Sequence, residues 1–266
     1  MELTAPLALF LVLSGFTAAF LSGLVGVGGA VVLTPILLYV PPLFGLPALD
    51  IVTVTGITIV QVTGGALSAG LAHLRDRHVD RGLFVAVAPA MTVTAFAGAA
   101  ASVLVTGVVL EATFATLAGL SALALLVLRH RTAPATEGPA TFSRLLAGVV
   151  AAVIGFLAGM IGAGGAFVLI PALLYLVRVP LRVTIGTTLW VVVVVSLAGL
   201  AGKAVTDQIE WPLAIALLVG ALPAGPLGTR LSRRTRPARL ATVLGLVVLA
   251  VSIRMWIDIL VGISSG

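Results

Sequence analysis

The sequence predicts an all-α polytopic membrane protein made of two inverted repeats, each a glycine-broken helical hairpin followed by three transmembrane helices. Three observations carry that prediction. The 266-residue chain is 60% hydrophobic and 9% charged, with a mean hydropathy of +1.25, whereas soluble domains carry about 25% charged residues. Its apolar runs are about 20 residues long and lack strict alternation, which favours helices over barrel strands, the two forms that satisfy backbone groups in lipid. Finally, residues 23–39 (GLVGVGGAVVLTPILLY) are rewritten at 159–175 (GMIGAGGAFVLIPALLY), 136 positions later.

The elements follow in order. Apolar segments are predicted at roughly 5–22, 30–44, 51–72, 83–105, 110–128, 144–158, 166–177, 183–202, 211–229 and 239–261. The first pair flanks Gly23-x-x-Gly26-x-Gly28-Gly29 and forms a hairpin, and the pair at 144–158 and 166–177 does the same around Gly159, Gly162, Gly164 and Gly165. Past the glycines the offset falls to 130, where Gly56 meets Gly186, Thr58 meets Thr188, Asp80 meets Glu210 and Gly98 meets Gly228. The longest polar connection, 129–144, is rich in Pro and Thr. The chain therefore divides into a first membrane repeat at 1–128, a cytoplasmic linker at 129–144 and a second membrane repeat at 145–266. Asp50 is expected to cap the helix it precedes, and Trp211 to anchor at the interface.

Charge placement predicts the topology. Arginines cluster in the connections 75–81, 129–144, 178–182 and 230–239, while 43–50, 106–111 and 203–210 hold Asp50, Glu111, Asp207, Glu210 and a single lysine, Lys203. The positive-inside rule puts the first set in the cytoplasm and the second outside. Residues 145–177 must then enter and return on one side, since a single span there would leave Arg230, Arg233, Arg234, Arg236 and Arg239 outside. The limb 166–177 reaches only about 18 Å against a hydrocarbon core of about 30 Å, so its glycine turn is expected inside the membrane. Each half then crosses an odd number of times, which makes the two halves inverted.

The glycine turns are the candidate binding site. Glycine permits backbone turns closed to other residues and leaves amide N–H groups bare. A helix starting just after such a turn aims its free N–H groups and positive dipole end into it, a ready anion site. Two such starts converging near the midplane would hold a small anion without a buried cation, as in transporters whose broken helices meet at mid-membrane. Gly26, Gly28, Gly29, Gly162, Gly164 and Gly165 are the predicted backbone contributors, and Thr34, Thr55, Thr58, Gln61, Thr187 and Thr188 the predicted polar side chains facing the pathway. The competing structural reading is close helix packing by small residues and hydroxyl bonding to the local backbone. His73 and Lys203 align across the repeat at helix ends, where solvated or snorkelling roles are expected.

Catalysis finds no support. The chain has no cysteine, and His73, His78 and His130 lie in or beside loops, so no catalytic residues, metal site or cofactor are expected. Gly202-Lys203 is followed by Ala204 and does not complete a P-loop, and no acidic residue at mid-helix offers a proton relay.

The paired glycine motifs, each followed by Leu-x-Pro-x-Leu-Leu-Tyr, together with Thr-Ile-Gly-Thr-Thr at 184–188, resemble the sulfite exporter TauE/SafE family, also described as 4-toluene sulfonate uptake permeases. The resemblance covers essentially the whole chain. It implies a membrane permease for sulfite, sulfonates or related anions, with Gly26, Gly28, Gly29, Gly162, Gly164 and Gly165 in its signature loops. The expectation is thus a secondary transporter or facilitator of a small sulfur-containing oxyanion in the cytoplasmic membrane. An anion channel, or a transporter of another carboxylate or oxyanion, is the alternative. The expected partners are a small anionic substrate and the lipid bilayer, with no nucleic acid; a homodimer is compatible with the sequence.

Overall fold

Among the described residues, ten α-helices occupy the predicted apolar segments. A computed structural model describes residues 3–25, 28–72, 80–127, 142–232 and 237–264. Its helices are α1 (Ala5–Val25), α2 (Ala30–Tyr39), α3 (Ile51–Ala72), α4 (Arg81–Ala101), α5 (Gly107–Val127), α6 (Arg144–Met160), α7 (Ala166–Tyr175), α8 (Leu181–Val205), α9 (Trp211–Ser232) and α10 (Pro237–Ser264). Short 3₁₀ turns at Pro41–Phe44 and Ser102–Leu104 follow α2 and α4. Among the described residues, seven helices are long and apolar enough to cross a membrane. The protein is a multi-pass, all-helical membrane protein, with no strand among the described residues.

Local chemistry sets the boundaries. Asp50 precedes α3 and its Oδ1 accepts from the Thr53 amide at 3.3 Å; Asp80 caps α4 by accepting from Leu83 at 2.7 Å. Both place a carboxylate at a positive helix end. Ser143 caps α6 from the Leu146 amide at 3.3 Å. Of the expected linker at 129–144, residues 129–141 lie outside the described residues. The helices α2 and α7 have 10 residues each, or about 15 Å, half of a hydrocarbon core.

Contact order gives the helix directions. Gly15 meets the Leu217 carbonyl and Gly228 the Phe20 carbonyl, so α1 and α9 run parallel. Likewise α4 and α6 run parallel, because Gly148 lies against Ala86 and Gly159 against Ala95. By contrast α3 and α8 are antiparallel: Thr55 meets Lys203, Ile59 meets Gly199 and Thr63 meets Ser196. The pair α5 and α10 is antiparallel too, through Ala115 with Ser252 and Leu126 with Gly245. One contact is written twice. Gly98 of α4 rests on the Phe156 carbonyl of α6, and Gly228 of α9 rests on the Phe20 carbonyl of α1. These are repeat-equivalent residues, 130 and 136 positions apart.

The core divides accordingly. One apolar body joins α1, α2, α3 and α9 through Leu7, Leu11, Leu33, Ile57, Leu213 and Leu217. A second joins α4, α6, α7 and α8 through Leu83, Met91, Ala151, Leu169 and Val191. A third cluster, with Ala30, Phe114, Phe167 and Met255, ties α2 and α7 to α5 and α10. Each of the first two bodies therefore draws helices from both sequence halves. On the outside, Leu9, Leu13, Val85, Val93, Val149, Val153, Ile215 and Val219 are exposed, as lipid-facing positions should be.

Candidate functional site

The two glycine turns meet the first turns of the short helices and the middles of α3 and α8. Gly28 has φ of +94°, and a methyl placed on it would lie 3.4 Å from Ala166 Cβ and 3.9 Å from the Phe167 nitrogen. The first turn thus abuts the N-terminal end of α7. Gly29 packs against the Gln61 amide, whose Nε2 would be 3.1 Å from an added methyl. In the second half Gly162 lies against the Thr55 carbonyl, and Gly164 against Val62 of α3 and Val192 of α8. Gly162, Gly164 and Gly165 all have positive φ, of +64°, +64° and +76°. The two turns differ locally, since Gly29 sits at φ of −68° where its equivalent Gly165 is left-handed. Neither α2 nor α7 has a side-chain cap at its N-terminus. Gly26 lies outside the described residues.

The polar side chains separate into two groups. Thr34, Thr58, Gln61 and Thr188 are buried, at 0%, 0%, 1% and 2% exposure, and Thr34 Oγ1, Thr58 Oγ1, Gln61 Oε1 and Thr188 Oγ1 have no hydrogen-bond partner. Default behaviour is visible elsewhere: Thr63, Thr94, Thr113, Thr116 and Thr206 each donate to the carbonyl four residues back. The unpartnered threonines forgo that bond. A buried polar group left unmade costs about 1–3 kcal/mol, and these four lie on α2, α3 and α8, the helices that the glycine turns lead into or touch. Thr92 and Ser121, on α4 and α5, also lack partners.

The remaining predicted residues are engaged. Thr187 Oγ1 accepts from the Asp80 amide at 3.2 Å, which ties α8 to the start of α4. Thr55 donates to the Val52 carbonyl at 2.9 Å and accepts from Lys203. Thr184 and Ser196 bond nearby carbonyls.

Residues 11–255 match the family profile described as "Sulfite exporter TauE/SafE". The chain belongs to the sulfite exporter TauE/SafE family. Among curated proteins it is 34% identical over 245 residues to a "Probable membrane transporter protein" of Xylella fastidiosa (strain 9a5c), covering 90% of this chain and 91% of the relative. It is 26% identical to "Probable membrane transporter protein YunE" of Bacillus subtilis (strain 168), covering 92% of this chain and 96% of that one. No solved structure matches the chain significantly.

One residue of this TauE/SafE chain departs from the sequence reading. Lys203, expected to be solvated or snorkelling at a helix end, is completely buried. Its Nζ donates to Thr55 Oγ1 at 3.0 Å, Ser102 Oγ at 2.9 Å and Gln208 Oε1 at 3.1 Å. The correction has a physical cause. The chain folds back at Asp207, and Gln208 returns over the α8 terminus, its amide accepted by the Lys203 carbonyl at 3.0 Å. Together with the 3₁₀ turn after α4, that fold-back roofs the helix end. Composition held the missed signal: of 15 Lys and Arg residues, this is the one lysine.

Proposed function

We propose that this chain is a secondary transporter of the cytoplasmic membrane that moves a small sulfur-containing oxyanion, sulfite or a sulfonate, by alternating access. The observation that carries the reading is the set of buried, unpartnered oxygens Thr34 Oγ1, Thr58 Oγ1, Gln61 Oε1 and Thr188 Oγ1 on α2, α3 and α8, the helices that the glycine turns lead into or touch, together with the uncapped starts of α2 and α7. Hydroxyls and helix-start N–H groups donate, as an oxyanion requires. Gln61 can present either end of its amide, because its oxygen and nitrogen exchange on a flip. Its carbonyl oxygen suits an anion that still carries one proton, such as hydrogensulfite.

Two further features support the reading. The antiparallel course of equivalent helices α3 and α8, and of α5 and α10, fits halves inverted in the membrane, the architecture on which alternating access is commonly built. The relatives carry the name probable membrane transporter protein, and the family is that of a sulfite exporter.

The test is uptake of labelled sulfite and methanesulfonate into proteoliposomes, with and without a pH gradient. Saturable uptake, competed by unlabelled sulfonate, is expected. Saturable uptake of acetate with none of either sulfur anion would overturn the sulfur assignment. Unsaturable conductance would replace the transporter with a channel.

A further inference from the structure

We propose that Lys203 is a second anion station, at the end of the α3–α8 seam, where a small oxyanion moving to or from the glycine turns takes the buried ammonium as its counter-charge. The inference rests on the anion-transport reading above and adds a cation to it.

The first observation is electrostatic. The Lys203 ammonium is fully buried, and its three hydrogen-bond partners, Thr55, Ser102 and Gln208, are all neutral. Neutral acceptors satisfy its N–H groups, and among the described residues no carboxylate is bonded to it; burying an unpaired charge is costly. Its position in the last turn of α8 offsets part of that cost through the helix dipole. A mobile anion would offset the rest.

The second observation is position. Thr55, which touches the ammonium, also lays its carbonyl against Gly162 of the second glycine turn. From there Thr58 and Gln61 follow at successive spacings of three along α3, both buried and both with an unpartnered oxygen. Residues three apart are neighbours on a helix surface. Gln61 reaches the first glycine turn at Gly29. A polar track therefore runs from Lys203 to both turns through buried side chains.

The third observation is residue choice. Every other permanent cation in the chain is arginine. A lysine ammonium is compact, with three rotatable donors, so it can exchange one neutral acceptor for an oxyanion oxygen without displacing a planar fork.

The experiment measures KM and Vmax in proteoliposomes for sulfite, methanesulfonate, acetate and chloride, scored on whichever anion the wild type carries. Lys203→Gln keeps a polar, similarly sized group and removes the charge. Its KM is expected to rise at least about tenfold with Vmax retained, and Lys203→Arg is expected to recover much of the loss. An unchanged KM in Lys203→Gln overturns the proposal and leaves the transport reading standing. Ser102→Ala covers the case in which Lys203→Gln does not fold. Freeing one ammonium N–H should lower the KM, and an unchanged or raised KM in that variant also overturns the proposal. If the wild type carries none of the four anions, both this proposal and the reading beneath it fail.

Discussion

At the scale of single residues, the informative groups are those that forgo a bond their neighbours make. Thr58 and Thr188 are repeat equivalents, both buried and both without a partner, whereas Thr63 donates to Ile59 at 2.7 Å and approaches the Ser196 carbonyl at 3.2 Å. Replacing a hydroxyl by the isosteric methyl of valine should therefore act oppositely at the two kinds of site. Thr58→Val and Thr188→Val relieve an unmade bond, so thermal unfolding should show unchanged stability or a gain of about 1 kcal/mol, while transport KM rises several-fold. Thr63→Val breaks a made bond and should cost about 1 kcal/mol with little effect on KM. Lower stability in Thr58→Val would mean that its hydroxyl has a structural partner. The sequence made the threonines and Gln61 visible because polar groups in apolar helices stand out. Lys203 stayed hidden because nothing in a linear reading says that Gln208 and Ser102 close over a helix end.

At the scale of elements, the sequence was nearly sufficient. The observed helices α2 and α7 begin at Ala30 and Ala166, where the glycine runs end, because glycine takes the turn that a helix cannot. The unlike φ values of Gly29 and Gly165 were not legible, since identical residues in the two copies meet different neighbours. Those neighbours rank two substitutions. Gly164 is left-handed, and a methyl there would come within 2.6 Å of Val62 Cγ1. Gly28 is left-handed too, but its added methyl meets Ala166 at an ordinary 3.4 Å. Gly164→Ala therefore combines backbone strain with overpacking and should cost about 2–4 kcal/mol, against about 1–2 kcal/mol for Gly28→Ala. Thermal unfolding of the two purified variants checks the order. An equal loss would show that the second turn relaxes away from α3 freely.

At the scale of the whole molecule, inversion and interlocking make separate predictions. The chain is free of cysteine, so single reporters give clean topology: Phe44→Cys should label from outside and Pro180→Cys from inside, while labelling of both from one side would contradict inverted halves. Interlocking goes further, because the repeats were legible in sequence but their exchange of helices was not. Sequence identity reports which segments are equivalent, whereas partner choice is decided by close backbone contacts such as Gly98 on Phe156 and Gly228 on Phe20. As a result α9 completes the body of α1, α2 and α3, and α4 completes that of α6, α7 and α8. Neither half can close its own core, since each has lent a helix to the other. Residues 1–128 and 145–266 produced as separate chains in one cell should copurify through a tag on either. Either half produced alone should fail to accumulate as a monodisperse species, because its bare α1 or α6 face lacks the helix that covers it. A lone half that purifies as a stable, folded monomer would mean that the exchanged contacts contribute little, and motion between the two mixed bodies would lose its structural basis.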